Sequence, residues 1–263
     1  MVSADDRVTA GVPGPVLDLA QGLQLRLVWH NELDGLTFGI GDPVRTYVKW
    51  TPHRSGIDLS AEAPRMRWAA PYTPVPEPLA QGSDATGSWL VTRGLPGQNA
   101  VSPRWRAEPA TAVEQIGLGL RAFHDALPVA GCPYDWSVAT RRADLDEHPE
   151  RWRPSRWNED HRHLSVSEVR ARLADPPEVD RLVVGHGDTC APNTLLTDDG
   201  RWSGHVDLGL LGVVDRWADL AVATWSLGWN YGPGWERQLL AAYGVEPDGR
   251  RTAYYRLLWD LGP

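Results

Sequence analysis

The sequence predicts an α+β chain of two lobes, a small sheet-rich N-lobe over residues 1–95 and a larger, mainly helical C-lobe over 96–263. Two observations predict it. Up to about residue 95 the apolar residues come in short β-like runs broken by Gly, Pro, Asn and Asp turns. Beyond "GLPGQNA" they recur at helical spacing, with a few short strands between the helices. A chain of 263 residues is long enough to bury a core in each of two lobes.

In order, "LQLRLVW", "LTFGI", "RTYVKW" and "SWLVTR" read as strands of the N-lobe. One helix interrupts them: "IDLSAEAPRMRWAA" follows a cap at Asp58 or Ser60, keeps Pro64 in its first turn and carries Glu62. In "AEPATAVEQIGLGLRAFHDAL" Val113, Ile116, Leu120, Phe123 and Leu127 share one helix face. Residues 137–178 are polar and read as helical in pieces. "RLVVGHG", "NTLLT" and "SGHVDLG" read as strands, and "DRWADLAVATWSL", "GWERQLLAAYG" and "RRTAYYRLLWDL" as closing helices.

A net charge of -8 leaves no basic footprint for nucleic acid or an anionic membrane, and it weakly favours cationic small molecules. Cys132 and Cys190 form neither a disulfide framework nor a paired zinc-ligand spacing, which fits a reducing cytoplasm. The N-terminus lacks an apolar signal core, and no run reaches the length of a membrane span, so a cytoplasmic chain is expected.

Residues 183–209, "VVGHGDTCAPNTLLTDDGRWSGHVDLG", concentrate the chemistry. Asp188 is followed after four residues by Asn193, and Asp207 precedes Leu208 and Gly209. That spacing matches a phosphoryl-transfer site, in which one Asp takes the proton of an acceptor hydroxyl while an Asn and a second Asp hold magnesium through hard oxygen donors. Each residue alone reads more simply as a turn former or helix cap. Together, downstream of the chain's only lysine, Lys49, in an apolar strand, they read as one site. His186, Asp188 and Cys190 alternate along one short segment and do not converge as a zinc site would require.

"HGDTCAPN" followed by "GHVDLGLLGVVDRWADLA" resembles the aminoglycoside phosphotransferases, the 3'-phosphotransferase branch in particular, which share a protein-kinase-like fold. "TYVKW", "DLSAEAPRMRWAA", "SWLVTRGLPG" and "LRAFHDALPVAGCPYD" extend the resemblance over about residues 28–260. It implies a bilobal kinase-like fold, with a nucleotide-binding N-lobe and a catalytic, acceptor-binding C-lobe. It further implies that Asp188 is the catalytic aspartate and that Asn193 and Asp207 ligate Mg2+. Lys49 would meet the nucleotide phosphates and be held by Glu62, while the backbone from Thr92 to Gly94 would face adenine. The implied nucleotide is ATP, with GTP an open alternative. Asp215 and Asp219 match a family signature and read as scaffold groups, and His186 reads as a structural hydrogen-bond partner.

Only "LGLLGVV" separates Asp207 from Asp215, which leaves no platform for a peptide substrate, and no G-x-x-x-x-G-K-[ST] loop occurs. The expected partner is therefore a small-molecule acceptor, taken up by a monomer that binds neither nucleic acid nor membrane. Aminoglycosides come first, and another sugar, amino sugar or antibiotic is the alternative, as is a catalytically idle ligand-binding module. Glu159, Asp160 and Asp260 are the candidate amine contacts. Residues 141–170 balance seven Arg against seven Asp plus Glu, less acidic than a site for a polycation would be. Trp152, Trp157, Trp229 and Trp235 are either core or acceptor-stacking residues.

Overall fold

Adjacent residues of a strand leave on opposite faces. In β3 (Thr46–Pro52) this sends the fully buried Val48 one way and Lys49 the other. The computed structural model describes residues 11–31 and 33–262, and the chain divides into two compact units, residues 1–95 and 96–263. In the first unit β1 (Leu25–His30), β2 (Leu36–Ile40), β3, β4 (Glu77–Ser83) and β5 (Gly87–Arg93) form an antiparallel sheet in the order β1-β2-β3-β5-β4. Phe38, Val48 and Val91 align across its centre and share a core with Val16 and Ala20 of α1 (Gly14–Ala20). Lys49 aligns instead with Thr37 and Leu90 on the opposite face.

The next helix starts as its sequence dictates. Asp58 accepts a hydrogen bond from Ser60 N (2.8 Å) and caps a single 3-10 turn, Leu59–Ala61. α2 (Glu62–Ala69) follows, with Pro64 in the first turn, where its missing N–H costs nothing. Two elements depart from the sequence reading, which gives this unit one helix and four strands. The short α1 lies in "GPVLDLA", to which the sequence reading assigns no helix, and β4, "EPLAQGS", holds no β-branched or aromatic residue. β4 is an edge strand, where proline is tolerated.

The second unit is built around two helices, α4 (Pro109–Ala126), which buries one face, and α7 (Trp217–Tyr231). Val113, Ile116, Leu120, Phe123 and Leu127 are all buried, as the helical period requires. Two glycines let α4 approach its neighbours: a Cβ on Gly117 would lie 2.6 Å from Leu239 O, and one on Gly119 2.3 Å from Trp202 Cδ1. α7 is buried on every side from Trp217 to Leu227 and forms the floor of the site. Short helices α3 (Pro103–Ala107), α5 (Val138–Glu147) and α6 (Val166–Leu173) and the closing α8 (Glu236–Tyr243) and α9 (Gly249–Asp260) complete the helical set. β6 (Gln98–Asn99), β8 (Thr194–Leu196) and β9 (Trp202–His205) form one small sheet, and β7 (Leu182–Gly185) pairs with β10 (Gly212–Asp215) in another. No helix among the described residues is long and apolar enough to cross a membrane.

Candidate active site

The antiparallel β8–β9 pairing explains how residues fourteen apart in sequence meet. Thr194 is in register with His205, and Asn193 O accepts a hydrogen bond from Val206 N (3.0 Å), so Asn193 and Asp207 close one end of the hairpin together. Asp207 takes a left-handed backbone (φ 65, ψ 53), a conformation that Asp tolerates better than most residues. Asn193 Nδ2 donates to Asp188 O (3.0 Å) and to Asp188 Oδ2 (3.1 Å), which leaves its side-chain oxygen as an acceptor for a further group. Asp188 Oδ1 is buried and has no hydrogen-bond partner among the described residues. An unsatisfied buried carboxylate oxygen is costly and marks a place where another donor belongs.

Asp219, fully buried on α7, holds the loop that carries Asp188. Its Oδ2 accepts from His186 N (2.6 Å), its Oδ1 from Gly187 N (2.9 Å), and its carbonyl from Thr189 Oγ1 (2.6 Å). His124 Nε2 donates to Oδ2 (2.9 Å), and His124 Nδ1 lies 2.8 Å from the Tyr243 hydroxyl. Burial pushes the Asp219 carboxyl up, but the His124 hydrogen bond and charge outweigh it and hold the group below the usual range. His186 accepts from Asp188 N (3.2 Å) and donates from Nε2 to Val206 O (2.8 Å), so it ties the loop to the hairpin. Gly187 has φ 87, and a Cβ there would lie 2.7 Å from Leu210 O, so only glycine fits between His186 and Asp188. Ser226, also on α7, accepts from Ala191 N (2.9 Å). Burial first, then the Asp188 charge, pushes the Cys190 thiol up, so it stays protonated beside that carboxylate.

In the first unit Lys49 Nζ donates to both oxygens of Glu62, at 3.0 and 2.8 Å. Glu62 is nearly buried at the head of α2, and about a quarter of the Lys49 side chain is exposed. Lys49 is therefore not a lysine that merely lays its stem on a strand edge. Thr92 lies on β5 in register with Tyr47, and Gly94 N donates to Arg45 O (2.9 Å). A Cβ on Gly94 would lie 2.2 Å from Tyr47 Cε2, which accounts for the glycine.

A sequence model of the phosphotransferase enzyme family APH matches residues 31–255. The chain belongs to the aminoglycoside phosphotransferase family. An aminoglycoside 3'-phosphotransferase of Streptomyces fradiae is 36% identical over 260 residues, covering 88% of this chain and 93% of that protein. A crystal structure of a type VIII aminoglycoside-3'-phosphotransferase superposes with a TM-score of 0.76 at 26% identity, over 98% of both chains. The aminoglycoside phosphotransferase APH(3'')-Id of Streptomyces rimosus does so with a TM-score of 0.73 at 27% identity, over 99% of both chains. This member of the family therefore has its bilobal, kinase-like fold and the general activity of a phosphotransferase.

Membership of this family implies the use of ATP and Mg2+. Among the described residues no cluster of three or more His, Cys, Asp or Glu is arranged for a metal. Asn193 and Asp207 offer two hard oxygen donors, which suits magnesium, an ion that retains waters and takes phosphate oxygens as its remaining ligands.

The sequence candidates for acceptor contacts separate. Glu159 and Asp160 are exposed, and Asp160 Oδ2 accepts from Trp225 Nε1 (2.9 Å). Asp260 is engaged internally: both oxygens accept from Asn158 N at 2.9 Å, and Oδ2 accepts from His161 Nδ1 (2.7 Å). The tryptophans separate as well. Trp157 is buried, Trp152 and Trp235 pack on the core, and Trp229 alone of the four is 46% exposed. His124, Tyr243 and Ser226 are site residues that the sequence reading missed. The available signal was His124 on the apolar face of α4, beside Phe123.

Proposed function

We propose that this phosphotransferase moves the γ-phosphate of ATP to a hydroxyl of an aminoglycoside. The reading is carried by Asp188, whose buried Oδ1 has no hydrogen-bond partner among the described residues while its other oxygen is fixed by Asn193. Asp188 Oδ1 accepts the proton of the acceptor hydroxyl as that oxygen forms its bond to the γ-phosphorus, and the bond from phosphorus to the bridging oxygen breaks to release ADP. Lys49, oriented by the bidentate Glu62 contact, donates to the α- and β-phosphate oxygens. Bound magnesium supplies positive charge to the phosphate oxygens, and Asn193 and Asp207 are the residues that would hold it. The backbone from Thr92 to Gly94 meets the adenine, and GTP is the competing nucleotide. Residues 1–95 thus serve the nucleotide, and residues 96–263 serve catalysis and the acceptor.

The relatives' names support the acceptor class, and the exposed Glu159 and Asp160 are the carboxylates assigned to its amines. The internal engagement of Asp260 favours a second acceptor class, an amino sugar or another antibiotic with fewer amines. Cys132 and Cys190 are not joined in a disulfide, which fits a cytoplasmic protein, and antibiotic resistance is the role such an activity would serve. Magnesium-dependent ADP release is measured with and without aminoglycosides, macrolides and amino sugars. Release stimulated by an aminoglycoside is expected, and silence with every acceptor would favour an idle binding module.

A further inference from the structure

α7 is buried from Trp217 to Leu227 and then opens abruptly at Gly228 and Trp229. Trp229 lies one turn beyond Ser226, which holds the backbone of Ala191 three residues after Asp188. Its ring packs in tilted contact with the buried Trp225, 5.0 Å between centroids, and with Trp259 of α9 at 6.1 Å, so it is backed on the protein side while nearly half the residue faces solvent. Gly228 adds a second observation. A glycine inside a helix is unfavourable relative to alanine, and here no packing demands it, since a Cβ would meet nothing within 4 Å. The result is a bare strip of helix beside an immobilised exposed indole.

We propose that the exposed face of Trp229, with the open backbone of Gly228 beside it, is the platform on which a ring of the acceptor stacks. The inference rests on the reading of Asp188 as the catalytic end of the acceptor site. The occupant it fits is an amine-bearing sugar or cyclitol ring. A saturated ring offers its C–H face to the indole, and a protonated amine is attracted to the ring face and to the exposed carboxylate of Asp160, which Trp225 Nε1 holds in place. The neighbouring cation does not cancel that charge, because Arg256 hydrogen-bonds Glu236 Oε1 at 3.2 Å. A single aromatic platform with few available carboxylates selects for ring shape more than for total charge, which distinguishes it from recognition by an acidic cluster.

The test compares wild type with Trp229→Ala, Trp229→Phe and Gly228→Leu. Calorimetric titration with kanamycin, neomycin and streptomycin gives acceptor Kd, and steady-state assays give KM for acceptor and for ATP. Trp229→Ala raises the Kd of the bound acceptor about 10-fold, with Trp229→Phe intermediate because it keeps an aromatic face. Gly228→Leu, which has room to fold, raises it comparably by covering the platform. KM for ATP stays at the wild-type value in all three. Unchanged acceptor Kd in both Trp229→Ala and Gly228→Leu overturns the platform, as does a wild-type protein that binds none of the three compounds. Binding that depends on Trp229 without ADP release leaves the platform standing and removes the phosphotransfer reading. ADP release with unchanged acceptor KM in both variants does the reverse.

Discussion

Asp219 shows how one buried carboxylate can set the position of a reactive loop without touching substrate. It satisfies two consecutive backbone N–H groups, of His186 and Gly187, and is itself kept charged by His124. Asp219→Ala strands those donors and leaves His124 facing an apolar gap, so a loss of about 3–5 kcal/mol is expected by urea unfolding. Asp219→Asn keeps the shape but provides only one acceptor oxygen, and it should fall between wild type and Asp219→Ala. At this scale the sequence was informative wherever a residue type is chemically irreplaceable. The family resemblance implied that Glu62 holds Lys49, and the two do form an ion pair. His124 and Tyr243 were not legible, because a histidine and a tyrosine at core spacing look like ordinary packing until Asp219 of α7 meets His124 of α4.

The contact between α4 and β9 makes the second unit acid-sensitive. His205 lies against Phe123 of α4 (5.2 Å between centroids), with His186 and Trp202 nearby. Burial, reinforced by His186, pushes its pKa down to about 3 from the ordinary 6.5, although Asp219 pulls the other way. Between those values the unfolded chain binds a proton that the folded chain refuses, so stability falls as pH drops below about 6.5. The slope from this group approaches about 1.4 kcal/mol per pH unit. His205→Leu should flatten that slope in unfolding curves recorded from pH 7 to 4; an unchanged slope would remove His205 as the cause. Element identity was legible in proportion to length and periodicity. α4 and α7 announced themselves through apolar spacing, whereas α1 and β4 did not, since seven residues containing Gly or Pro carry little local signal. The Asn193–Asp207 closure was legible only as spacing, since hairpin register supplies the rest.

For the whole molecule, the two-lobed α+β layout followed from a sheet-rich first third and a helical remainder, the kinase-like fold followed from the family resemblance, and the family match agrees with both. What the linear chain could not supply is which acidic residues are already committed. Asp260 ends the C-terminal helix as a carboxylate that could serve an acceptor, yet it pins Asn158 and His161 and so anchors the polar insert to α9. A ligand that binds only the folded protein stabilises it by mass action. Mg-ATP at 100 times its Kd should therefore add about 2.7 kcal/mol. At that same concentration Lys49→Ala should gain much less, measured as the shift in unfolding midpoint. An equal shift in both proteins would remove Lys49 from the nucleotide site.

The most direct measurement is single-turnover transfer of labelled γ-phosphate to an aminoglycoside by wild type and Asp188→Ala, at saturating ATP. The variant should bind ATP with near wild-type affinity and transfer phosphate about 10²–10⁴-fold more slowly. Transfer at the wild-type rate would contradict the assignment of Asp188 as the group that takes the hydroxyl proton.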